Sequence, residues 1–383
     1  MKHSTRGILT THNGSLPRTP ELRDMLVGKL GGKQVDAEAF AVAVRGAVGT
    51  VVKHQEEVGI TVLNDGEQGR VAYATYVADR LNGFGAPEKS GPQVRMGEEL
   101  EFPEYFARQG GGGAGMRSSC VGALTWKDFS AVQKDIDALK AAAQGVRSED
   151  LFMSSASPGT VLRFFPNRYY PSKESYLHAI ADVMKREYEA IVKAGVVLQL
   201  DCPDLASPAF RPASYSVSDF RNDISENMEA LNYAVRDIPA DQVRIHVCWG
   251  AGEGPHNHDV ELKDIVDILL RARSGAVSVV GANGRHEHEW KIWKDVNVPA
   301  GRSVIAGVID STCNFIEHPE AVAERIGRYG TVLGRENVMG GVDCGFATGV
   351  RSGPPAVDPK IAWAKLQSLA QGAALATKEL WRK

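Results

Sequence analysis

His246 and Cys248 stand two residues apart in the run Arg244-Ile245-His246-Val247-Cys248-Trp249-Gly250. If that run is a strand, both side chains leave the same face. Imidazole and thiolate are donors that zinc prefers, and two of them fixed on one strand make half of a tetrahedral site. A second strand-like run, Asn337 to Gly345, carries another cysteine, Cys344, near its end. The expectation is that His246, Cys248 and Cys344 meet on one zinc ion. Such a centre keeps a position for a substrate, and a thiol that binds there is held as a thiolate at neutral pH. That is a nucleophile ready for an alkyl electrophile.

Side chains this far apart in the chain need a scaffold that brings strand ends together. Apolar runs near residues 8, 61, 151, 197, 244, 277, 304 and 338 read as strands. Between them, apolar residues at helical spacing predict helices over 20–30, 37–58, 71–83, 127–144, 172–194, 219–235, 262–273, 319–330 and 361–377. Eight strands alternating with helices imply an α/β fold, a single (β/α)8 TIM barrel over residues 1–383. Polar residues fall at the strand C-terminal ends: His12, Glu67, Ser155, Asp201, His246, Cys248, Asp310 and Cys344. That end is where barrel active sites are built. The pattern breaks between about residues 84 and 120, which are rich in glycine and proline, so an elaborated loop or hairpin is expected there, over the barrel mouth. Its run Gly110 to Gly113 reads as a flexible lid rather than a phosphate cradle, since no helix start with Lys-Ser/Thr follows.

Composition narrows the function classes. The chain has 383 residues, 43% of them hydrophobic, enough for a large core, and a net charge of -3 that leaves no basic footprint for nucleic acid. No apolar run approaches the length of a membrane span, and no apolar signal core follows the N-terminal residues. Five scattered cysteines suit a reduced, cytoplasmic protein better than a disulfide framework.

The stretches Thr10 to Arg18, Leu198 to Asp201, His246-Val247-Cys248 and Val342 to Gly345 resemble the catalytic barrel of the cobalamin-independent methionine synthase family. The runs Asp201 to Ala206, Arg285 to Trp290 and Glu317 to Glu320 are similar to a single-barrel subgroup that includes epoxyalkane:coenzyme M transferase. The resemblance implies a zinc-dependent transferase that alkylates a substrate thiol, with a methyl donor (folate possible) and homocysteine or a similar thiol as small-molecule partners. An epoxide:thiol transferase of the coenzyme M type, or a C–S lyase, is the alternative. A barrel that binds a thiol or metal without turnover is the alternative of another class. A homo-oligomer is possible.

Two departures from the family pattern bear on mechanism. The family's zinc glutamate belongs at the end of the sixth strand, where this chain reads Val279-Val280-Gly281-Ala282. The fourth position then falls to water, to the substrate alone, or to Glu287 or Glu289. The family's proton-donating histidine belongs two residues after the seventh-strand aspartate, and here Thr312 follows Asp310. His12, Asp310 and His256 are the candidate catalytic residues. Asp201, which in the family holds the substrate amino group, is a candidate substrate ligand with Glu67, Ser155, Arg285 and Glu287.

Overall fold

A computed structural model describes residues 1–89, 97–108, 116–207, 215–350 and 355–382; the Gly110 to Gly113 run lies outside these. Eight parallel strands occur where the apolar runs predicted them: β1 Leu9–Thr10, β2 Val62–Leu63, β3 Asp150–Ala156, β4 Val197–Asp201, β5 Val243–Val247, β6 Ala276–Val279, β7 Ser303–Ile309 and β8 Val338–Val342. From β2 to β8 each pairs with the next strand in sequence, and β8 pairs with β1. Between β1 and β2 the ring is joined by the Thr61 N–H, which donates to the Thr10 carbonyl at 3.2 Å. The protein is a single (β/α)8 barrel.

Alternation along the strands decides what faces the barrel axis. At the N-terminal end the inner face is an apolar plug of Leu9, Val62, Phe152, Val197, Ala276, Ile305 and Met339. Each such side chain taken out of water contributes roughly 1.5–3 kcal/mol. Two residues on, the inner face turns polar. Gln199 is in register with Ser154 and Arg244, and His246 with Asp201 and Ser278. The helices cover the outside. Lys173–Lys193 is the clearest, started by a capping box between Ser172 and Ser175 and burying Tyr176, Ile180, Met184, Tyr188 and Ile191 at helical spacing.

Two expected helices are largely replaced by other structure. Within 71–83 only Val77–Arg80 is helical. Before it, Tyr73 N–H donates to the Thr348 carbonyl and Val350 N–H to the Val71 carbonyl, which hold the chain extended beside the loop after β8. After it, Leu81–Phe84 pairs antiparallel with Cys120–Trp126. Tertiary pairing overrides the local spacing. Within 262–273 there is a 3-10 turn, Leu262–Asp264, and one helical turn, Val266–Leu269. The Arg302 guanidinium takes the carbonyls of Leu270, Ala272 and Ser274, so they are satisfied without a continuing helix.

The described parts of 84–120 form the expected hairpin: beyond the pair Leu81–Phe84 with Cys120–Trp126, Glu88–Lys89 pairs antiparallel with Met116–Arg117, and the short helices Gly97–Glu101 and Pro103–Arg108 follow. Glu101 accepts hydrogen bonds from Asn257 and His258, so the insertion rests on the loop that follows β5.

Candidate active site

β5 and the turn after β8 bring His246, Cys248 and Cys344 together, with one donor atom of each within 4.8 Å of the others. All three are buried. The two sulfurs are 3.2 Å apart, joined by a hydrogen bond and not by a disulfide. That shared hydrogen bond, with His246 and the Gly250 N–H also contributing, holds Cys248 well below the usual thiol range. The same bond, and then burial, pushes Cys344 well above it. Among the described residues, neither ring nitrogen of His246 has a hydrogen-bond partner. A buried imidazole without partners beside two sulfurs is costly unless a ligand completes it. The donor set is the soft nitrogen and sulfur set that suits zinc. Val280, two residues past the inward Ser278, is buried and apolar, and among the described residues no carboxylate joins the three.

Beside the triad is a cleft of about 290 Å³ whose lining includes Asp201, Glu67, Ser15, Asn13 and Tyr73. Two buried carboxylates share it, and each commits one oxygen to the protein. Glu67 Oε1 accepts from Ser154 Oγ at 2.7 Å, and its Oε2 has no partner. Asp201 Oδ1 accepts from Gln199 Nε2 at 2.7 Å. Burial pushes both carboxyls up; Asp201, which also feels the charge of Glu67, lies well above the usual range, and Glu67 is raised further by Asp65 and drawn back by Arg70. Glu67 sits at φ 54°, and a Cβ on Gly14 (φ 114°) would come within 2.4 Å of its carboxylate, so only glycine leaves it room.

Several expected site residues are placed elsewhere. His12 has the opposite parity to Thr11 and Asn13, and its Nε2 bonds Gln55 of the helix Ala37–Glu57 at 2.9 Å. Burial lowers it to about 4, so it stays neutral and locked. Ser155 points outward and donates to Glu187, within a buried cluster with Tyr76 and Arg80; its neighbour Ser154 points inward and donates to Glu67. Asp310 accepts the N–H and hydroxyl of Thr312, a closed turn outside the cleft lining. Arg285 is likewise outside the lining, its N–H bonded to Asn283. Glu287 faces Arg325 and Arg328, which removes it as a ligand. Glu289 accepts the Leu262 N–H at 2.6 Å and bonds His286 at 2.8 Å, which removes it as well. His256 sits near the cleft rim with both ring nitrogens engaged, by Asp259 at 2.7 Å and the Gly252 carbonyl at 3.0 Å.

The sequence reading did not single out Asn13, Ser15, Tyr73, Ser154, Gln199 or Arg244. The period of two was the available signal for half of them: Gln199 and Arg244 lie two residues before Asp201 and His246, and Ser154 is in register with Gln199. Tyr73 lay in a stretch misread as helix.

Residues 8–105 match the family model described as cobalamin-independent synthase, catalytic domain. A methionine synthase of Sulfolobus acidocaldarius is 25% identical over 376 residues, covering 98% of this chain and 94% of its own. One of Sulfurisphaera tokodaii is 26% identical over 375 residues, with the same coverage. Among solved structures, a B12-independent methionine synthase from Shewanella sp. W3-18-1, in complex with selenomethionine, superposes with a TM-score of 0.73 at 17% identity, covering 98% of this chain and 99% of that one, which shows the shared fold. By the partial match to the family model and these near full-length alignments, on a barrel of the same fold, the chain is similar to the cobalamin-independent methionine synthases.

Proposed function

We propose that the protein transfers a methyl group to the sulfur of an amino-acid thiol such as homocysteine, with zinc held by His246, Cys248 and Cys344. The observation that carries this reading is the pairing of an unpartnered buried imidazole and two thiols with a cleft whose two carboxylates each leave one oxygen uncommitted. Zinc, when bound, supplies a Lewis acid that keeps a substrate thiol deprotonated at neutral pH.

The residues do the rest. Glu67 and Asp201 offer two acceptors to a substrate ammonium, and a cation beside them offsets the burial that raises both carboxyls. Ser15 and Asn13 line the same cleft beside them. The apolar plug below and the buried walls exclude water from the sulfur. In the transfer, the new S–C bond forms as the methyl–donor bond breaks; the thiol proton is lost to solvent and the departing group takes one up. Thr312 is committed to Asp310 and does not supply that proton. Tyr73, whose hydroxyl has no hydrogen-bond partner among the described residues, stays protonated because burial pushes it up, and it can donate to the methyl donor.

The test is a panel on the zinc-loaded protein: homocysteine, coenzyme M and glutathione against methylfolates and small epoxides. Methionine formed from homocysteine and a methyl donor supports the reading. An epoxide adduct of coenzyme M with no methionine would replace it with the epoxide:thiol activity.

A further inference from the structure

The inner layer beneath the cleft holds a buried arginine whose bonds run in one direction. Arg244 is 1% exposed and lies over the Phe152 ring at 3.5 Å. Its Nη1 donates to Thr11 Oγ1 at 3.0 Å, its Nη2 to the His12 carbonyl at 2.8 Å and its Nε to Gln199 Oε1 at 2.8 Å. A guanidinium has donors only. Gln199 must therefore turn its carbonyl oxygen toward Arg244, and the amide cannot flip. Its NH2 group then faces the other way, donating to Asp201 Oδ1 at 2.7 Å and to the Asn13 carbonyl at 3.1 Å. The far end of the chain is thus read as an acceptor. Oδ1 of Asp201 is taken, and Oδ2 is its one oxygen without a protein partner among the described residues. Across the cleft, Glu67 is arranged alike: Ser154 takes Oε1 and leaves Oε2.

We propose that Gln199, oriented by Arg244, is a positioning residue that selects thiols bearing an amino group, by holding Asp201 with one oxygen turned to receive that group. This rests on the amino-acid-thiol reading above and extends it to two residues that line neither the metal triad nor the cleft. Gln199 does not touch substrate; it acts through Asp201.

The test is calorimetric binding of two probes to the full, zinc-loaded chain: homocysteine, and 4-mercaptobutyrate, which is the same thiol without its amino group. Wild type is expected to prefer homocysteine. Gln199→Met, close in volume but without polar atoms, is expected to weaken homocysteine by about tenfold to a hundredfold, as for a lost hydrogen bond to a charged group, while 4-mercaptobutyrate changes less than about twofold. A variant that keeps the wild-type preference overturns the proposal. If Gln199→Met binds neither probe, Gln199→Glu decides. It keeps the acceptor for Arg244, loses the donors to Asp201 and to the Asn13 carbonyl and sets a carboxylate oxygen against Asp201 Oδ1, and it is expected to lose the preference selectively; a retained preference there overturns the proposal. Wild type that binds both probes equally contradicts the amino-acid-thiol reading itself, an outcome seen without any variant.

Discussion

His246 and His286 are 3% and 2% exposed, yet their ring nitrogens are treated in opposite ways. Those of His286 are both bonded, to Glu289 at 2.8 Å and to Asp259 at 3.1 Å; Asp259 in turn bonds His256. Those of His246 have no hydrogen-bond partner among the described residues. The first cluster is closed: every charge faces an opposite one, and it ties the loop after β5 to the segment after β6. The second is open, and lies where two sulfurs converge. The lesson concerns which cluster does chemistry. Arg285 to Trp290 is the denser run of titratable residues, but His286, Glu287 and Glu289 are all engaged by partners within the protein. In the sparse His-Val-Cys run, the imidazole of His246 is buried with no hydrogen bond among the described residues to offset that cost, which is the mark of a site kept for a ligand.

If the open cluster is the reactive one, Cys248→Ser or Cys344→Ser should abolish methyl transfer to the limit of detection, measured as methionine formed, with the fold retained by circular dichroism. Asp201→Asn should raise the KM for an amino-acid thiol by about tenfold to a hundredfold while zinc content stays that of wild type, since it removes one charged acceptor. In the closed cluster the effect falls on stability. Glu289→Ala strips the buried His286 of a partner and should cost about 3–5 kcal/mol in denaturant unfolding, with little change in bound metal. Glu287→Gln, on the exposed side of the same run, should stay within about 0.5 kcal/mol and leave metal content unchanged.

The closed cluster also has a pH window. His256 and His286 are both raised to about 9, His256 chiefly by its bond to Asp259, and His286 by its bonds to Asp259 and Glu289 against its burial. Their stabilisation is complete below the unfolded value near ~6.5 and is lost as pH rises through about 9. Asp259 is lowered by its two histidines, against its burial, so its share is lost as pH falls through the acid range. Limited proteolysis should therefore cut residues 250–260 faster at pH 10 than at pH 7. Equal rates would mean that the ion pairs do not hold the loop.

All eight strands were legible because β-branched apolar runs of strand length alternate with amphipathic helices. The metal triad was legible because its first pair keeps a period of two. Where the reading slipped, the cause was often parity or pairing across the chain. His12 and Ser155 were chosen for lying at strand ends, but inner and outer positions alternate, and Ser154 is the serine that bonds Glu67. The uses of Glu289 and Asp259 depend on contacts 27 residues away, with Leu262 and His286, and no local pattern encodes those.

The central claim is that the open cluster holds zinc through one imidazole and two sulfurs. Zinc K-edge X-ray absorption on the purified, loaded chain tests it most directly. The predicted spectrum has two sulfur neighbours at about 2.3 Å and one imidazole nitrogen at about 2.0 Å, with the remaining positions filled from outside the chain. A first shell of nitrogen and oxygen without sulfur, or two imidazoles as found at the closed cluster, would contradict it.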